Sequence, residues 1–255
     1  MRTWRLIKDN WRPCHSLPLA DRGFRYGMSV FESIAVVAGR PLFLEEHLAR
    51  LARAGGDCGA HLPRLPDFDF SGLTSGLLRI YFTAGPGAVG DSFAGSVYAL
   101  FDLAEVGWNL PRARVMSCAA PYLPRPGGWK SGNYWQNIEA LGMANRGGCD
   151  EALVFNPAGM LVGAAMGNVF LQRDGKWVTP ALETGARDGV VRSWVLQCLG
   201  AEEGILESQD VAQCSAAFLT NSRVGIRSVR ELDGRPLEDG AGGIQQKYCH
   251  DIYAA

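Results

Sequence analysis

The stretch of residues 127 to 170 constrains the fold more than any other part of this 255-residue chain. It reads GGWKSGNYWQNIEALGMANRGGCDEALVFNPAGMLVGAAMGNVF. Lys130 follows a Gly-Gly break and precedes apolar residues at helical spacing, from Trp135 to Leu141. The helix is expected to end near Gly147, and the apolar segments after it are short enough for paired strands. The pattern therefore predicts a lysine where an extended segment turns into a helix.

Several motifs in this stretch occur together in one order. The string K-S-G-N-Y-x-x-N-I-x-A, followed by G-x-D-E-A-L-V-F, G-M-L-V and N-V-F, resembles the core of the class IV aminotransferases. These fold-type IV pyridoxal-phosphate enzymes include branched-chain and D-amino-acid aminotransferases and aminodeoxychorismate lyase. The resemblance implies that Lys130 carries pyridoxal 5'-phosphate as a Schiff base. It also implies a two-domain chain of mixed α+β and α/β character, similar in architecture to D-amino-acid aminotransferase.

One position departs from the family pattern. Where the family usually has a glutamate facing the pyridine nitrogen, this sequence has Gly163. A ring nitrogen without a carboxylate beside it is protonated less readily, so the electron sink is weakened. Restoring a glutamate at residue 163 is therefore expected to increase turnover of a working aminotransferase. Tyr134, four residues after the lysine, is expected to reach the phenolic oxygen of the ring.

Two further segments are candidates for holding the cofactor phosphate. A helix is predicted over residues 45 to 54, with an apolar stripe of Leu48, Leu51 and Ala52 and with Arg50 leaning inward at its edge. A guanidinium in that place needs an anion, either a protein carboxylate or a ligand phosphate. The string E-H-L-x-R-L resembles the family motif whose arginine binds the phosphate, which favours that role for Arg50.

The second phosphate segment is a helix predicted after residue 188. Asp188 is a plausible N-cap, and the residues expected to be buried are Val191, Trp194, Val195 and Cys198. The resemblance implies that the backbone amides of Val190 and Val191 hold phosphate at this helix N-terminus, where N–H groups and the helix dipole favour an anion. Ser222 is implied as a further phosphate contact.

Substrate contacts are implied at two loops. D-R-G-F-R-Y-G-M-S-V-F-E-S-I resembles the N-terminal signature of the family and makes Tyr26 the side chain expected to reach a substrate carboxylate. F-L-T-N-S-R-V-G-I-R-S-V resembles aminodeoxychorismate lyases more than aminotransferases and adds Asn221 and Arg223. A substrate-binding arginine that often occurs in D-amino-acid aminotransferases and the lyases is replaced by Ala84. The G-x-G-x-x-G that follows leads into a strand, which argues against a dinucleotide site.

Composition narrows the class of partner. With 25 basic and 26 acidic residues the net charge is -1, which favours neither nucleic acid nor a membrane surface. The N-terminus lacks the apolar region of a signal peptide, and no apolar run reaches the length of a membrane helix, so a cytoplasmic protein is expected. Seven scattered cysteines and four isolated histidines argue against a disulfide framework and a metal site. Small-molecule chemistry is therefore expected, and the family resemblance implies an amino acid or an amino-chorismate as the substrate.

Domains and function follow from these points. We expect an N-terminal α+β domain of residues 1–110, a proline-rich connection of residues 111–126 and a barrel-like α/β domain of residues 127–255 that carries the lysine. The family resemblance implies a homodimer. Three functions stay open: amino-group transfer between an amino acid and an α-keto acid, pyruvate-releasing aminodeoxychorismate lyase chemistry, and ligand binding without turnover because the glutamate is absent.

Overall fold

A computed structural model describes residues 1–93, 95–107, 110–124 and 128–253. Its contacts divide the chain into two compact units, residues 1–106 with 129–134 and residues 107–128 with 135–255. Residues 125 and 126 of the expected connection between domains lie outside the described residues, as does Gly127 of the stretch that carries the lysine.

The first unit is built on a six-stranded antiparallel sheet in the order β2-β1-β6-β5-β3-β4. Two helices accompany the strands. The elements are β1 (Arg2–Ile7), β2 (Asn10–Pro13), α1 (Arg22–Tyr26), β3 (Ser29–Val37), β4 (Arg40–Pro41), α2 (Leu44–Asp57), β5 (Gly76–Thr83) and β6 (Ser96–Leu103).

Helix α2 covers one face of this sheet, but its buried stripe differs from the prediction. Ala52, expected to be buried, is exposed. The buried residues are instead His47, Leu51, Ala54 and Gly55, which follow the i, i+4, i+7, i+8 spacing of a helix face. The stripe is rotated because polar His47 faces the sheet, where a carboxylate on β3 binds it. Hydrophobicity alone therefore gave the wrong rotation.

The lysine segment lies along β3. Phe31 donates its amide hydrogen to the carbonyl of Lys130 at 2.8 Å, and Gly132 donates to the carbonyl of Ser29 at 2.8 Å. Residues Trp129–Tyr134 consequently group with the first unit, whereas the sequence had placed Lys130 in a domain of residues 127–255. The reason is that backbone pairing with β3 ties this segment to a strand nearly a hundred residues earlier. The exact domain limits stay a prediction.

The second unit contains a nine-stranded mixed sheet in the order β12-β11-β10-β13-β14-β7-β8-β9, with β15 paired to β14. Four α-helices, one 3-10 turn and one π-helical turn accompany this sheet among the described residues. The strands are β7 (Ala113–Ser117), β8 (Glu151–Phe155), β9 (Leu161–Ala164), β10 (Asn168–Arg173), β11 (Lys176–Pro180), β12 (Glu202–Gly204), β13 (Ala217–Asn221), β14 (Gly225–Leu232) and β15 (Arg235–Pro236). The helices are α3 (Trp135–Arg146), α4 (Val190–Leu199), α5 (Ser208–Gln213) and α6 (Gly242–Tyr248), with the 3-10 turn at Leu182–Thr184 and the π-helical turn at Cys249–Tyr253. A barrel-like closure of this unit stays a prediction.

Helix α3 buries the face opposite to its large apolar side chains. Asn137, Ala140 and Ala144 are buried, whereas Trp135 and Ile138 are 78% and 55% exposed. The small alanines let the helix approach β8 closely. The helical period of the sequence was thus correct, but the apolar residues that revealed it lie mostly outside the core of this unit.

The start of α4 also differs from the prediction. Gly189 is the N-cap in place of Asp188, and no side chain caps the helix. Cys198 is exposed, and Trp194 is only partly buried. Arg192 is buried instead, because its guanidinium donates to the carbonyl of Pro180 at 3.0 Å and pairs with Glu203.

Candidate active site

Lys130 lies among aromatic rings of the first unit. Its Nζ is 4.7 Å from the centroid of the Phe31 ring and 4.9 Å from that of Tyr134. The same Nζ is 3.4 Å from the Tyr134 hydroxyl oxygen. Phe31 in turn stacks on Tyr81 with centroids 5.2 Å apart. The two rings adjoin each other, with centroids 5.4 Å apart, so the part-buried amine lies against both and has a hydroxyl within reach.

Arg50 binds a protein carboxylate in this structure. Its Nε and Nη2 each lie 2.6 Å from an oxygen of Glu32, which gives a bidentate pair. The Glu32 side chain is 2% exposed and that of Arg50 is 15% exposed. Arg50 leans inward as predicted, and the anion that it meets is a carboxylate. Its role toward a ligand phosphate stays a prediction.

His47 completes this buried cluster. Its Nδ1 lies 2.8 Å from Glu32 Oε2. Burial raises the pKa of Glu32, but the hydrogen bonds and charges of Arg50 and His47 outweigh it and lower that pKa to about 2. Burial lowers the pKa of His47. Glu32 is therefore ionised at neutral pH and is bound by both the Arg50 guanidinium and the His47 imidazole.

Sequence reasoning did not assign roles to Glu32 and His47. A signal was nevertheless present, because Val30, Glu32 and Ile34 alternate on one face of β3 and only Glu32 is charged. His47 and Arg50 lie three residues apart and so share a helix face. A lone carboxylate on a core-facing strand position, with a basic pair on the covering helix, predicts a buried ion pair.

Tyr26 ends the short helix α1, with Asp21 as the N-cap. Its ring is 42% exposed and lies 4.8 Å from the Arg25 guanidinium. Gly27 follows with φ of 65°, and a Cβ there would come within 2.0 Å of the Asn133 side-chain oxygen. The turn after Tyr26 therefore packs against the segment that carries the lysine.

The predicted phosphate segment of the second unit is the N-terminal end of α4. The Asn168 side chain donates to the carbonyl of Arg187 at 2.7 Å, and a Cβ at Gly189 would come within 2.0 Å of the Asn168 oxygen. The backbone amides of Val190 and Val191 lie in the first turn of the helix, where N–H groups have no acceptor within the helix. These amides suit an anion.

Asn221 is the last residue of β13, and Ser222, Arg223 and Val224 form the turn that leads to β14. The Asn221 side-chain oxygen accepts from the amides of Arg223 at 3.0 Å and Val224 at 2.9 Å. This explains its place at a strand end, because an asparagine closes such a turn locally. Ser222 is half-buried and Arg223 is exposed.

Gly163 lies in β9 with φ of +156°, a conformation that side-chain-bearing residues rarely adopt. A Cβ at this position would lie 3.1 Å from the carbonyl oxygen of Gly167. A glutamate here would therefore need a shift of the backbone before its carboxylate could reach a ligand. The effect of a glutamate at this position stays a prediction, with that backbone shift as an added cost.

Each unit, taken by itself, contains groups of the kind that pyridoxal phosphate needs. In the first unit, Lys130 supplies an amine beside aromatic rings. In the second unit, the first-turn amides of α4 suit a phosphate. Thr220 of that unit is fully buried, and its hydroxyl has no hydrogen-bond partner among the described residues, but a hydroxyl so enclosed faces no open space. The position expected to face the ring nitrogen offers no carboxylate.

The sequence profile of the family "Amino-transferase class IV" matches residues 29–232. Because this match covers most of the chain, the protein belongs to the class IV aminotransferase family. The family contains both aminotransferases and related lyases.

Individual relatives reflect both activities. Aminodeoxychorismate lyase of Bacillus subtilis is 24% identical over 260 residues, which covers 91% of this chain and 88% of that protein. The branched-chain aminotransferase of Thermoproteus uzoniensis, solved with norvaline, has a TM-score of 0.84 at 22% identity and covers 98% of this chain and 94% of that one. The branched-chain aminotransferase of Escherichia coli has a TM-score of 0.79 at 20% identity, with 98% and 92% coverage. A further branched-chain aminotransferase, solved with N-(5'-phosphopyridoxyl)-L-glutamate, has a TM-score of 0.81 at 22% identity, with 98% and 93% coverage. These structures establish a shared fold.

Neither a membrane-spanning helix nor a cluster of metal ligands is found within the described ranges. None of the helices found there is both long and apolar enough to cross a membrane. The same residues bring together no group of three or more histidine, cysteine or acidic side chains that could hold a metal ion.

Proposed function

We propose that the protein transfers an amino group between an amino acid and an α-keto acid with pyridoxal 5'-phosphate bound at Lys130. The observation that carries this proposal is the position of Lys130 Nζ against the adjoining rings of Phe31 and Tyr134, with the Tyr134 hydroxyl 3.4 Å away. Membership of the class IV family and the phosphopyridoxyl ligand of a structural neighbour support the choice of cofactor.

The division of labour follows from the chemistry. Pyridoxal phosphate, when bound, supplies the electrophilic carbon and the electron sink. Lys130 would accept and return the α-proton of the substrate through Nζ, acting in turn as base and acid. Tyr134 would orient that amine by its hydroxyl group. The amides of Val190 and Val191, the Ser222 hydroxyl and Arg50 would hold the phosphate, with the charge of Arg50 already balanced by Glu32.

Lys130→Ala tests the proposal directly. We expect the wild-type protein with pyridoxal phosphate to show a Schiff-base absorbance band that borohydride fixes onto Lys130, and the variant to lose the band, because no other amine in the cluster replaces it. Peptide mass spectrometry locates the reduced cofactor. Lys176→Ala, which removes an exposed lysine of the second unit, is the matched control. Cofactor fixed on another lysine, or no binding, would contradict the proposal.

A second function is favoured by one observation. The turn Thr220-Asn221-Ser222 resembles the lyases, and the B. subtilis aminodeoxychorismate lyase aligns with 91% of this chain. Under that function the substrate is an amino-chorismate, and Tyr26, Asn221 and Arg223 would bind its carboxylates. Release of pyruvate from such a substrate, without α-keto acid formation from amino acids, would favour the lyase.

We also propose that the protein is a homodimer, as the family resemblance implies. Sedimentation at micromolar protein concentration tests this, and a monomer would contradict it.

A further inference from the structure

The turn of residues 164–167 joins β9 to β10, and its backbone amides are all paired. The Ala164 amide donates to the Gly167 carbonyl at 3.0 Å, and the Gly167 amide donates to the Ala164 carbonyl at 3.3 Å. Ala165 donates to the carbonyl of Ala152 at 2.9 Å. The remaining amide and the two remaining carbonyls are bound by side chains. Extensive pairing of this kind fixes a turn in a single conformation.

Three side chains from three elements provide those remaining bonds. Asn137 of α3 donates to the carbonyl of Ala165 at 2.7 Å. Asn221 of β13 donates to the carbonyl of Met166 at 3.3 Å. Glu151 of β8 accepts the Met166 amide at 3.2 Å. The turn is therefore held from three directions, and only one of the three groups can change its charge.

Glu151 is buried, with 6% of its surface exposed. Its second oxygen accepts the amide of Ala152 at 3.0 Å, so both oxygens face N–H donors. Burial raises the pKa of Glu151 to about 7, against the backbone amides and the charge of Arg227, which lower it. Arg227 of β14 is itself paired with Asp150 at 3.1 Å. The carboxyl group thus changes charge near neutral pH with amides as its direct partners.

This turn links the two anion-binding segments of the second unit. It ends at Asn168, whose side chain bonds to the carbonyl of Arg187 and abuts Gly189 at the start of α4. Through Met166 it also holds Asn221, which closes the turn that contains Ser222. A displacement of residues 164–167 would move both segments.

We propose that Glu151 is a positioning residue that, through the Met166 amide, holds the start of α4 and the turn after β13 in the arrangement that binds the cofactor phosphate. The proposal rests on the function given above for these two segments. The ionised carboxylate accepts with both oxygens. A neutral carboxyl carries a hydrogen on one oxygen and holds the amide opposite it less well. Phosphate binding should therefore respond to the charge of Glu151.

Glu151→Gln tests this, with pyridoxal 5'-phosphate titrated into wild-type and variant protein and binding followed by tryptophan fluorescence. The ratio of the two dissociation constants cancels the protonation of the ligand itself. We expect the variant to bind about tenfold more weakly at pH 8.5, where wild-type Glu151 is ionised, and less than about twofold more weakly at pH 5.5. Glu231→Gln, a carboxylate of β14 paired with Arg114, is the control and should change neither value.

A ratio that is the same at both pH values would overturn the proposal, because the charge of Glu151 would then be irrelevant. Hydrogen exchange in the wild-type protein without cofactor gives an independent measurement if the variant does not fold. Corrected for intrinsic rates, protection of the Met166 amide should rise between pH 6 and pH 8 relative to that of Gly167. Equal behaviour of the two amides would also overturn it. Absence of cofactor binding would contradict the proposed function, and Met166 exchange would still decide the role of Glu151.

Discussion

Glu32 and Glu151 are both buried carboxylates on strands, yet their pKa values differ in direction. Burial raises the pKa of each, but that of Glu32 falls to about 2 whereas that of Glu151 rises to about 7. Glu32 has a bidentate guanidinium and an imidazole within 2.8 Å. Glu151 has backbone amides as direct partners. A direct cationic partner therefore decides the outcome, and burial alone does not.

The difference separates two uses of a buried acid. Glu32 stays ionised beside Arg50 at neutral pH and well below it, so this pair is suited to a permanent scaffold within the unit that carries Lys130. Glu151 changes charge near neutrality and is suited to adjusting a turn. The comparison can be tested by removing the cationic partner of Glu32, which leaves it, like Glu151, without a direct guanidinium.

Arg50→Ala should have the largest effect, because it leaves Glu32 buried without its cation. We expect a loss of about 3 to 5 kcal/mol in the free energy of unfolding. The pKa of Glu32 should then rise, as that of Glu151 does. Chemical denaturation of the protein without cofactor measures the loss. Arg53→Ala, which truncates an exposed arginine of the same helix, is the matched control, and an equal loss in both variants would contradict this account.

The sequence predicted much of the frame around these groups. It predicted a helix over residues 45 to 54, the turn into a helix after Lys130 and a helix after residue 188, because period and glycine position are local signals. It did not predict that Glu32 binds Arg50, or that Lys130 pairs with β3, because both depend on contacts between distant segments. The predicted buried stripe of α2 was rotated, because hydrophobicity excludes a polar residue such as His47 and does not reveal that Glu32 binds it in the interior.

Opposite pH dependences should follow from the two acids. Because the folded pKa of Glu32 lies below the ordinary 4.5, its contribution to stability is present above pH 4.5 and is lost as pH falls toward 2. Because the folded pKa of Glu151 lies above 4.5, its contribution is present below pH 4.5 and is lost as pH rises through about 7. Each amounts to roughly 3 kcal/mol at about 1.4 kcal/mol per unit of pKa.

The comparison is between variants measured across pH. Glu32→Gln should flatten the change in unfolding free energy between pH 4.5 and 2, and Glu151→Gln should flatten the change between pH 4.5 and 7.5. Urea denaturation at steps of half a pH unit gives both curves. If both variants deviate from the wild type over the same pH range, then Glu32 and Glu151 do not titrate in separate ranges, and the comparison fails.

The smallest effect concerns Gly163, where the family's usual acid is missing from the second unit. Gly163→Ala should lower the free energy of unfolding by about 2 kcal/mol, because φ of +156° is strained for alanine and its Cβ would lie 3.1 Å from the Gly167 carbonyl. Gly159→Ala, with φ of +81° and nothing within 4 Å, should cost less and separates the close contact from backbone strain.

Gly163→Glu carries the same strain, so its effect is informative only when it is compared with Gly163→Ala. Tighter cofactor binding by the glutamate variant than by the alanine variant would mean that the added carboxylate reaches the ring nitrogen, and a further loss of stability would mean that it is buried without a partner. A fully stable Gly163→Ala protein would contradict the strained conformation.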